Sequence, residues 1–475
     1  MENAQFGMVG LGTMGRNFLL NVAEHGFSCV GFDLDAEKVE LLNKEGADYT
    51  VEGVKTLEDF IASLETPRKI MMLVPAGKIV DAVIEDLLPH LDKGDIVIDG
   101  GNSHFTDTEV REKYLTEKGI EFLGVGVSGG EEGARHGASI MPGGNEEAYN
   151  HVAPILIAAS AKVGGEPCVT YIGKGSSGHF VKMVHNGIEY GLMQILAETY
   201  DFMRRVLKMN YAEMSATFAD WNNAELNSFL VEITAEVLSK ADSESENPLV
   251  EMILDKAAQK GTGKWTSQVA MDFGVPIPTI DSAVSMRQIS AQKEIRTLIA
   301  QKYGDEAQVV GEDISANREH FIELLKQTLF SSFIVTYAQG MSLLQVASSE
   351  KDYDLNLSEI AKIWRGGCII RSALLEDMRR AFAENPDLPN MILADKFADT
   401  LSQNRDFWCK INSEFMINQV PSLCLSSALS YFDAFRSERL PANLIQAQRD
   451  FFGAHTYQRI DKEGTFHTPD WNKSD

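Results

Sequence analysis

The chain has 475 residues, 44% of them hydrophobic and 24% charged, which is more than one hydrophobic core supports, so we expect two or more domains. Its formal net charge of −26 at pH 7 argues against non-specific binding to nucleic acid or to an anionic membrane surface. An anionic substrate would need a local basic pocket in so acidic a protein.

The cysteines are odd in number, scattered, and without the spacing of metal ligands: Cys29, Cys168, Cys368, Cys409 and Cys424. Reduced thiols are the simplest interpretation, because disulfide frameworks and zinc sites show characteristic spacings. We recognise no signal peptide, apolar transmembrane run or lipidation motif. These features predict a cytoplasmic protein without a metal site.

A dinucleotide-binding fingerprint lies near the amino terminus. A predicted strand, Phe6 to Val9, leads into Gly10-Leu11-Gly12-Thr13-Met14-Gly15, and a helical pattern follows. A second strand, Cys29 to Phe32, ends at Asp33. The glycines of GxGxxG permit a tight turn, close approach of a pyrophosphate, and close packing of helix on strand. This order predicts a cofactor whose phosphates bind at the helix N-terminus.

Further predicted strands alternate with helical segments. The strands are Ile70 to Val74, Ile96 to Asp99 and Ile120 to Val125, with shorter candidates at Ala138 to Met141 and Val169 to Ile172. This alternation predicts an α/β domain with a doubly wound parallel sheet of the Rossmann type.

Three glycine-rich loops follow predicted strands and offer short polar groups. They are Val74-Pro75-Ala76-Gly77, Gly100-Gly101-Asn102-Ser103 and Gly126-Val127-Ser128-Gly129-Gly130-Glu131. In a doubly wound sheet such loops face the cofactor, and glycine lets a ligand approach the backbone closely. Each loop alone could be a simple turn, but three at strand ends favour a binding site.

A long helix is predicted from Ser176 to Leu207, with Ser176 or Ser177 as its N-cap. Its polar residues recur at i, i+3, i+4, i+7 and i+8 and share one stripe: Lys182, His185, Asn186, Glu189 and Tyr190. The other faces are apolar, so we expect a buried helix whose stripe borders a cleft. A lysine of lowered pKa near a carboxylic acid suits proton transfer. The alternative is an internal network in which Lys182 pairs with Glu189.

Helices dominate the chain from Ser176 to about Phe435. Within this all-α region, Lys260-Gly261-Thr262-Gly263-Lys264-Trp265 resembles a phosphate loop in composition, but it lacks the Walker spacing and a preceding strand. An anion site made of backbone and lysine fits the segment better, and Arg287 on the next helix could join it.

The helical region contains a possible internal duplication. The segment Tyr190-GLMQILA, followed by Trp221, is roughly similar to the segment Gln339-GMSLLQV, followed by Trp364. The offset between these two segments aligns Lys182, His185, Asn186 and Glu189 with Ser331, Ile334, Val335 and Ala338, in that order. A site would then belong to the first copy alone. The alternative is coincidence between two amphipathic helices.

The sequence predicts that the C-terminal end of the chain is a tail. It carries Arg449 and His455, followed by Phe466 and Trp471, without strong periodicity. We expect such an aromatic tail to be held against another surface, and a partner subunit is a good candidate. We expect a dinucleotide-binding domain at 1–177, a helical substrate and dimerisation domain at 178–435, and the tail at 436–475.

Eight motifs occur in order along the full length of the chain: GLGTMG, LVPAG, DGGNS, GVSGGEEGARHGASIMPGG, VKMVHNGIEYG, QKGTGKWT, WRGGCIIRS and GTFHTPDW. Together they resemble the 6-phosphogluconate dehydrogenase family, the decarboxylating enzymes of the pentose phosphate pathway. The resemblance implies oxidative decarboxylation of 6-phospho-D-gluconate to D-ribulose 5-phosphate and CO2, with reduction of NAD or NADP. It also implies a duplicated helical domain and a homodimer in which each tail reaches the partner.

The resemblance implies catalytic roles for two residues of the stripe. Lys182, neutral with substrate bound, would take the proton of the 3-hydroxyl as a hydride leaves C3, and would later return a proton to that oxygen. Glu189 would protonate C1 of the enediol that remains after CO2 is lost. No metal is required.

The resemblance also implies three sets of binding residues. The sugar acid would be held by Asn102, Ser128, Gly129, Gly130, His185 and Asn186. The phosphate would be held by Tyr190, Lys260, Thr262 and Arg287, together with the partner subunit's Arg449 and the partner subunit's His455. The cofactor would lie against the loop Gly10 to Gly15, Asp33, Val74, Pro75, Ala76 and Asn102.

The chain departs from the family where the cofactor's adenosine would bind. Asp33-Leu34-Asp35 stands where the NADP-selective pattern is Asn-Arg-Thr, and Pro75 stands where a cation is often found. A carboxylate accepts hydrogen bonds from both ribose hydroxyls of NAD and repels the 2′-phosphate of NADP. We therefore expect a preference for NAD. In the alternative, NADP is the cofactor, Asp33 caps the following helix, and other residues set selectivity, Lys38 among them.

Two other functions fit part of the pattern. A β-hydroxyacid dehydrogenase of the hydroxyisobutyrate type would share the Rossmann start and the lysine, but such chains are shorter and lack the KGTGKW loop, the duplicated helices and the tail. A non-enzymatic cofactor-binding protein would show a broken site, whereas Lys182 and Glu189 are both present.

Overall fold

The structure is a computed structural model that describes residues 3–304 and 317–471. The chain folds into two compact units, Met1–Ala428 and Leu429–Asp475. The first unit holds the large sheet and most of the helices. This division does not separate the sheet from the helices, so the domain boundaries expected at residues 177 and 435 stay a prediction.

A seven-stranded sheet forms the amino-terminal part of the first unit. Its strands are β1 (Phe6–Val9), β2 (Cys29–Phe32), β3 (Val51–Val54), β4 (Lys69–Met72), β5 (Ile96–Asp99), β6 (Glu121–Ser128) and β7 (Ser139–Gly144). The spatial order is β3-β2-β1-β4-β5-β6-β7, and the first six strands are parallel. This order confirms the Rossmann-type doubly wound fold that the glycine fingerprint predicts.

Three details of the sheet differ from the predictions. Sequence patterning misses β3, because its residues are half exposed and include a glycine and a glutamate. The strand expected at Ala138 to Met141 is β7, which runs antiparallel to β6, so the sheet is not wholly parallel. Val169 makes only an isolated bridge to Ile140. The short strands β8 (Lys162–Val163) and β9 (Glu166–Pro167) form a separate antiparallel pair.

Helices cover both faces of the sheet. They are α1 (Thr13–Glu24), α2 (Ala36–Glu45), α3 (Leu57–Ala62), α4 (Lys78–Leu87), α5 (Phe105–Thr116), α6 (Gly130–His136) and α7 (Glu146–Ala159), with a 3-10 turn at Leu88–His90. Successive strand residues point to opposite faces, so Met8 and Met71 join one apolar cluster while Val9 and Met72 join the other. The sheet is therefore buried on both sides, as parallel sheets require.

Eleven further helices of the first unit follow β9 in the part of the chain that the structure describes. They are α8 (Ser177–Arg205), α9 (Tyr211–Trp221), α10 (Phe229–Ser239), α11 (Leu249–Met252), α12 (Thr262–Asp272), α13 (Pro278–Ala291), α14 (Lys293–Tyr303), α15 (Arg318–Glu350), α16 (Leu357–Ile363), α17 (Leu374–Glu384) and α18 (Asp395–Ile417), with a 3-10 turn at Met391–Leu393. The next helix, α19 (Leu423–Phe435), continues into the second unit. This confirms the large all-α region.

Two long helices, α8 and α15, pack against each other at the centre of the helical region. Among the residues that the structure describes, α15 is the one helix long and apolar enough to cross a membrane, but 78% of its most apolar window is buried inside the protein. The four residues that the proposed duplication aligns with the polar stripe all lie on α15 and are buried: Ser331, Ile334, Val335 and Ala338.

The second unit is organised by the carboxylate of Asp450. It contains α20 (Ala442–Gly453) and the antiparallel pair β10 (Tyr457–Gln458) and β11 (Thr465–Phe466). The buried oxygens of Asp450 accept hydrogen bonds from the backbone nitrogens of Thr456 and Thr468, at 2.9 and 3.0 Å. They also lie 2.9 Å from His467 Nδ1 and 3.0 Å from Trp471 Nε1. The aromatic tail is thus tied to its own unit through α20.

We expect Gly178→Ala to lower the free energy of unfolding by roughly 1–3 kcal/mol, because overpacking forces backbone shifts. A β-carbon at this position would lie 2.2 Å from the carbonyl oxygen of Gly124 and 2.3 Å from that of Met141. The control is Ala197→Ser at an exposed position of the same helix, which should cost no more than about 0.5 kcal/mol. Urea unfolding measures both, and equal stabilities would contradict the close contact of α8 with the sheet.

Candidate active site

Helix α8 lies directly on β6 and β7, where Gly178 meets the backbone of Gly124 and Met141. A second glycine, Gly126 of β6, allows the same approach further along, since its β-carbon would lie 2.5 Å from Cβ of Lys182. The observed span, Ser177–Arg205, agrees closely with the expected helix, and Ser176 occupies the N-cap. The hydroxyl of Ser176 does not cap the helix but bonds Glu109 and Tyr353 instead. This packing brings Lys182 to the carboxyl end of β6.

Lys182 and Glu189 are largely buried, and within the described residues they form neither a hydrogen bond nor an ion pair with each other. Burial lowers the pKa of the Lys182 amine, and the charges of Glu189 and Cys368 offset only part of that effect. Burial also raises the pKa of Glu189, against the opposing charges of Lys182 and Arg287. The pairing that an internal network requires is not observed, and both pKa shifts favour the uncharged forms that proton exchange needs.

His185 connects the end of β6 to the start of α12 through a chain of hydrogen bonds. Its Nε2 lies 3.3 Å from the hydroxyl of Ser128, and its Nδ1 lies 3.0 Å from Oδ1 of Asn186. The amide nitrogen of Asn186 donates to the Thr262 hydroxyl at 3.1 Å. Burial, together with the charge of Lys182, holds the pKa of His185 well below its usual value. The ring is therefore neutral, with Nδ1 donating to Asn186 and Nε2 accepting from Ser128.

The segment before α12 and helix α13 bring cations near Tyr190, the last residue of the stripe. The guanidinium of Arg287 lies 3.6 Å from the centre of the Tyr190 ring and donates to the carbonyl oxygen of Ala258 at 2.8 Å. Lys260 is exposed just before the N-terminus of α12, where Thr262 is the first residue. A helix N-terminus beside arginine and lysine favours an anion.

Sequence patterning misses one wall of this region, the segment that follows α16. The Trp364 ring meets the ring of His185 edge-on, with centroids 5.7 Å apart. A β-carbon at Gly129 would lie 2.5 Å from the carbonyl oxygen of Gly367, so backbone meets backbone there. The thiol of Cys368 is close enough to influence Lys182. The glycine pair in Trp-Arg-Gly-Gly-Cys is the sequence signal of such a contact.

The glycine loop after β1 has the shape that a dinucleotide requires. Gly10 has φ of +93°, and a β-carbon there would lie 2.8 Å from Val74. The loops after β1 and β4 are therefore in close contact. A β-carbon at Gly15 would lie 1.9 Å from the carbonyl oxygen of Gly10. No atom lies within 4 Å of the corresponding point at Gly12, the N-cap of α1, which has no side-chain cap. The N-terminus of α1 is therefore open to a pyrophosphate.

Other candidates for contact with the cofactor border this opening. Leu11 is buried, whereas Thr13, Pro75, Ala76 and Asn102 are exposed and Met14 is half-buried. Asn102 lies on the loop after β5, so its side chain is free to reach a ligand. The donor set and the open α1 N-terminus fit a bound dinucleotide.

The carboxylate of Asp33 accepts hydrogen bonds from the backbone of the loops around it. One oxygen accepts from the backbone nitrogen of Leu11 at 2.8 Å, and the other accepts from that of Asp35 at 2.9 Å. The Lys38 ammonium lies 3.5 Å from both oxygens and also 3.7 Å from Asp35. Asp35 is the N-cap of α2 and accepts from the Glu37 nitrogen. Asp33 thus braces the glycine loop, and a cation stands beside it.

Arg449 and His455 belong to the second unit. Both are exposed, on α20 and just after it, and Arg449 donates to the side-chain oxygen of Gln446 at 3.2 Å. His455 packs edge-on against the Phe452 ring, with centroids 5.9 Å apart. Both side chains are accessible to a ligand or a partner, and their part in a phosphate site stays a prediction.

The cysteines form no disulfide in the structure. Within residues 3–304 and 317–471, no group of three or more histidine, cysteine, aspartate and glutamate side chains has an arrangement that could hold a metal ion.

Comparisons with known proteins cover almost the whole chain. Residues 5–173 match the family model described as the NAD binding domain of 6-phosphogluconate dehydrogenase, and residues 178–471 match that of its C-terminal domain. The NADP(+)-dependent, decarboxylating 6-phosphogluconate dehydrogenase of Bacillus subtilis is 50% identical over 100% of both chains. The decarboxylating enzyme of Escherichia coli is 48% identical over 98% of this chain and 99% of its own.

A solved structure is also similar. The 6-phosphogluconate dehydrogenase of Plasmodium falciparum, described in its apo form and in complex with NADP+ and with 6-phosphogluconate, superposes with a TM-score of 0.95. It is 44% identical, and the match covers 98% of this chain and 100% of that one.

The expected preference for NAD is wrong. The Bacillus subtilis relative is named NADP(+)-dependent, and the Plasmodium falciparum structure is described with NADP+ as its cofactor. The expectation assumes that the Asp33 carboxylate faces the adenosine ribose alone. Its oxygens instead accept backbone hydrogens of the surrounding loops, and Lys38 offsets its charge, so its repulsion of a 2′-phosphate is reduced.

We expect Glu189→Gln to lower the pKa of Lys182 further, because an ionised Glu189 favours the ammonium form of Lys182 and an amide carries no charge. The measurement is carbamylation of Lys182 by cyanate across a pH series, followed by peptide mass spectrometry. Glu147→Gln, at an exposed position of α7, is the control and should leave the profile unchanged. A Lys182 profile that stays fixed or moves to higher pH in Glu189→Gln would contradict the proximity of the two groups.

Proposed function

This chain belongs to the 6-phosphogluconate dehydrogenase family, and we propose that it converts 6-phospho-D-gluconate to D-ribulose 5-phosphate and CO2 with reduction of NADP. The observation that carries the proposal is the pair Lys182 and Glu189, buried on one stripe of α8 with pKa shifts that favour a neutral amine and a protonated acid. We expect the enzyme to act as a soluble homodimer in the cytoplasm.

Lys182 is the proposed base of the oxidation. Its neutral amine takes the proton of the substrate's 3-hydroxyl while the C3–H bond breaks. The nicotinamide, when bound, accepts the hydride. The substrate is then a β-keto acid, and Lys182, now an ammonium, is placed to donate a hydrogen bond to the new carbonyl oxygen.

The decarboxylation uses the proton that Lys182 has gained. As the bond between C1 and C2 breaks and CO2 departs, its electron pair forms the double bond of an enediol, and the ammonium returns its proton to the oxygen at C3. No metal enters this step, because the adjacent carbonyl accepts the electrons.

Glu189 is the proposed acid of the last step. Burial raises the pKa of its carboxyl group, which favours the protonated form that can donate to carbon. That proton goes to the enediol carbon that carried CO2, which becomes C1 of ribulose 5-phosphate, while the enol hydroxyl at the former C3 gives its proton back to Lys182 and becomes the ketone. Transfer of that proton from Lys182 to Glu189 through water then restores the neutral amine and the protonated acid.

Two groups of residues would bind the ends of the substrate. Around the sugar acid we place the amide, hydroxyl and backbone groups of Asn102, Ser128, Gly129, Gly130, His185 and Asn186. A β-carbon at Gly130 would meet no atom within 4 Å, which leaves its backbone open to a ligand. Around the phosphate we place the groups at the N-terminus of α12 and beside it: Tyr190, Lys260, Thr262 and Arg287.

NADP is the proposed cofactor, held at the open N-terminus of α1. The bound pyrophosphate would meet the residues Gly10, Leu11, Gly12, Thr13, Met14 and Gly15. Lys38, whose side chain is 41% exposed and lies 3.5 Å from the Asp33 carboxylate at the end of β2, is the cation that we assign to a 2′-phosphate. Val74, Pro75, Ala76 and Asn102 would line the nicotinamide half.

A partner subunit would complete the phosphate site. We propose that the partner subunit's Arg449 adds positive charge and that the partner subunit's His455 adds a hydrogen-bond donor, because both are exposed in the second unit of this chain. Such a shared site would add to the positive charge that Lys260 and Arg287 already offer a phosphate dianion in a chain of net charge −26.

We expect Lys182→Ala and Glu189→Ala each to lower kcat by about 10²–10⁴-fold, as for a lost general acid or base. The assay follows NADPH formation with 6-phosphogluconate, together with release of CO2. Glu147→Gln is the matched surface control and should retain full activity. A decrease in kcat of less than about threefold in folded variants would show that both residues have a structural role instead.

We expect Arg449→Ala to raise KM for 6-phosphogluconate much more than KM for gluconate, because a charge-assisted bond to phosphate is lost. Steady-state kinetics with both substrates measures the difference, and Arg459→Ala, in the same unit, is the control. Equal effects on the two substrates would remove Arg449 from the phosphate site. An active monomer in light scattering would refute the shared site.

A further inference from the structure

A buried polar network that the mechanism does not use lies beneath the candidate site. Its members come from three elements of the sheet region and from α8: Asp99, Ser103, Thr108, Arg111 and His179. Each has less than 5% of its surface exposed. Buried polar groups of this kind are costly unless satisfied, and they hold backbone segments firmly when satisfied.

Asp99, the last residue of β5, shapes the loop that carries Asn102. Its Oδ1 accepts from the backbone nitrogen of Gly101 at 3.0 Å, and its Oδ2 accepts from the Ser103 hydroxyl at 2.6 Å. These two bonds hold the residues on either side of Asn102. The exposed Asn102 side chain is therefore presented by a loop that is fixed at both of its neighbours.

Arg111 joins this loop to the loop after β4. Its Nη1 lies 3.4 Å from Asp99 Oδ2 and 3.3 Å from the Ser103 hydroxyl. Its Nη2 donates to the carbonyl oxygen of Gly77 at 3.1 Å, and its Nε donates to Asp81 at 2.7 Å. One buried guanidinium thus binds the two loops that would contact the nicotinamide half.

His179 joins the same strand end to α8. Its Nε2 lies 3.0 Å from the carbonyl oxygen of Asp99, which can only accept, so Nε2 carries the hydrogen. Its Nδ1 lies 2.6 Å from the Thr108 hydroxyl. A β-carbon at Gly124 would lie 2.9 Å from Nδ1, so β6 also confines the ring. The histidine is held from three sides.

His179 stands one helical turn before Lys182 and on the same side of α8. Fixing the ring against Asp99 therefore fixes the position of the Lys182 amine relative to the Asn102 loop. We propose that His179 and Ser103 are positioning residues, which set Lys182 and Asn102 respectively in register with the substrate. This inference rests on the proposed function.

Substitutions of His179 and of Ser103 should change different kinetic constants. Loss of the His179 hydrogen bonds moves a catalytic amine, which lowers kcat, because a misplacement of about 1 Å can cost on the order of 10²-fold. Loss of the Ser103 hydroxyl loosens a binding loop, which raises KM for substrate and cofactor with a smaller change in kcat.

The experiment compares His179→Leu, His179→Gln, Thr108→Val and Ser103→Ala in the full-length enzyme. Phe382→Leu, a buried change in α17, is the control for general loss of stability. Each variant is assayed for kcat and both KM values, and Lys182 is titrated by cyanate labelling, which needs no turnover. We expect His179→Leu to lower kcat by about 10-fold or more and to shift the labelling profile, and His179→Gln to recover most of both, because its amide can donate to Asp99.

Thr108→Val keeps the size of the side chain and removes one partner of the ring, so it should shift the labelling profile in the same direction. It tests the proposal if His179→Leu does not fold. Ser103→Ala should raise both KM values while the Lys182 profile stays that of the wild type.

The proposal is overturned if the His179 and Thr108 variants match Phe382→Leu in kcat and leave the Lys182 profile unchanged. It is also overturned if Ser103→Ala shifts that profile as His179→Leu does. A wild-type enzyme that does not convert 6-phosphogluconate would refute the proposed function instead, and the labelling profiles would still decide whether His179 positions Lys182.

Discussion

The burial of the Lys182 amine is the constraint on which the rest of the site depends. Removing an ammonium ion from water is costly, so a buried lysine without an ion-pair partner favours its neutral form. Glu189, two turns further along α8, experiences the same desolvation and favours its protonated form. One helix therefore carries an amine whose pKa is shifted towards its basic form and a carboxyl group whose pKa is shifted towards its acidic form. These are the two roles that an oxidation followed by protonation of carbon requires.

Close backbone contacts keep α8 in this buried position. Gly178 and Gly126 let the helix lie on the sheet, and Gly187 lets Thr266 of α12 pack against its other side. The Thr266 hydroxyl donates to the carbonyl oxygen of Met183 at 2.9 Å, which ties α12 to α8. The site is thus built where the sheet, α8 and α12 meet. The close approaches at Gly126, Gly178 and Gly187 each need a residue without a side chain.

Local patterns in the sequence are enough to predict part of this arrangement. The GxGxxG loop, the strand ends and the stripe on α8 depend on residues close in sequence, and their periods are visible without tertiary information. The direction of β7, the wall at Trp364 to Cys368 and the hydrogen bonds of His179 depend on contacts between distant segments. Asp33 is recognisable as a strand-end carboxylate, but its bonds to Leu11 and Asp35 cannot be read from its position, so the cofactor prediction is wrong.

The most direct test of the two-residue account is the fate of solvent hydrogen at C1 of ribulose 5-phosphate. The reaction is run in D2O, and deuterium at C1 is located by NMR. We expect one deuterium on a single face with the wild-type enzyme, and a mixture of faces with Glu189→Gln, because an enediol that meets no enzymatic acid is protonated by solvent from either side. Deuterium on a single face in Glu189→Gln as well would contradict Glu189 as the acid.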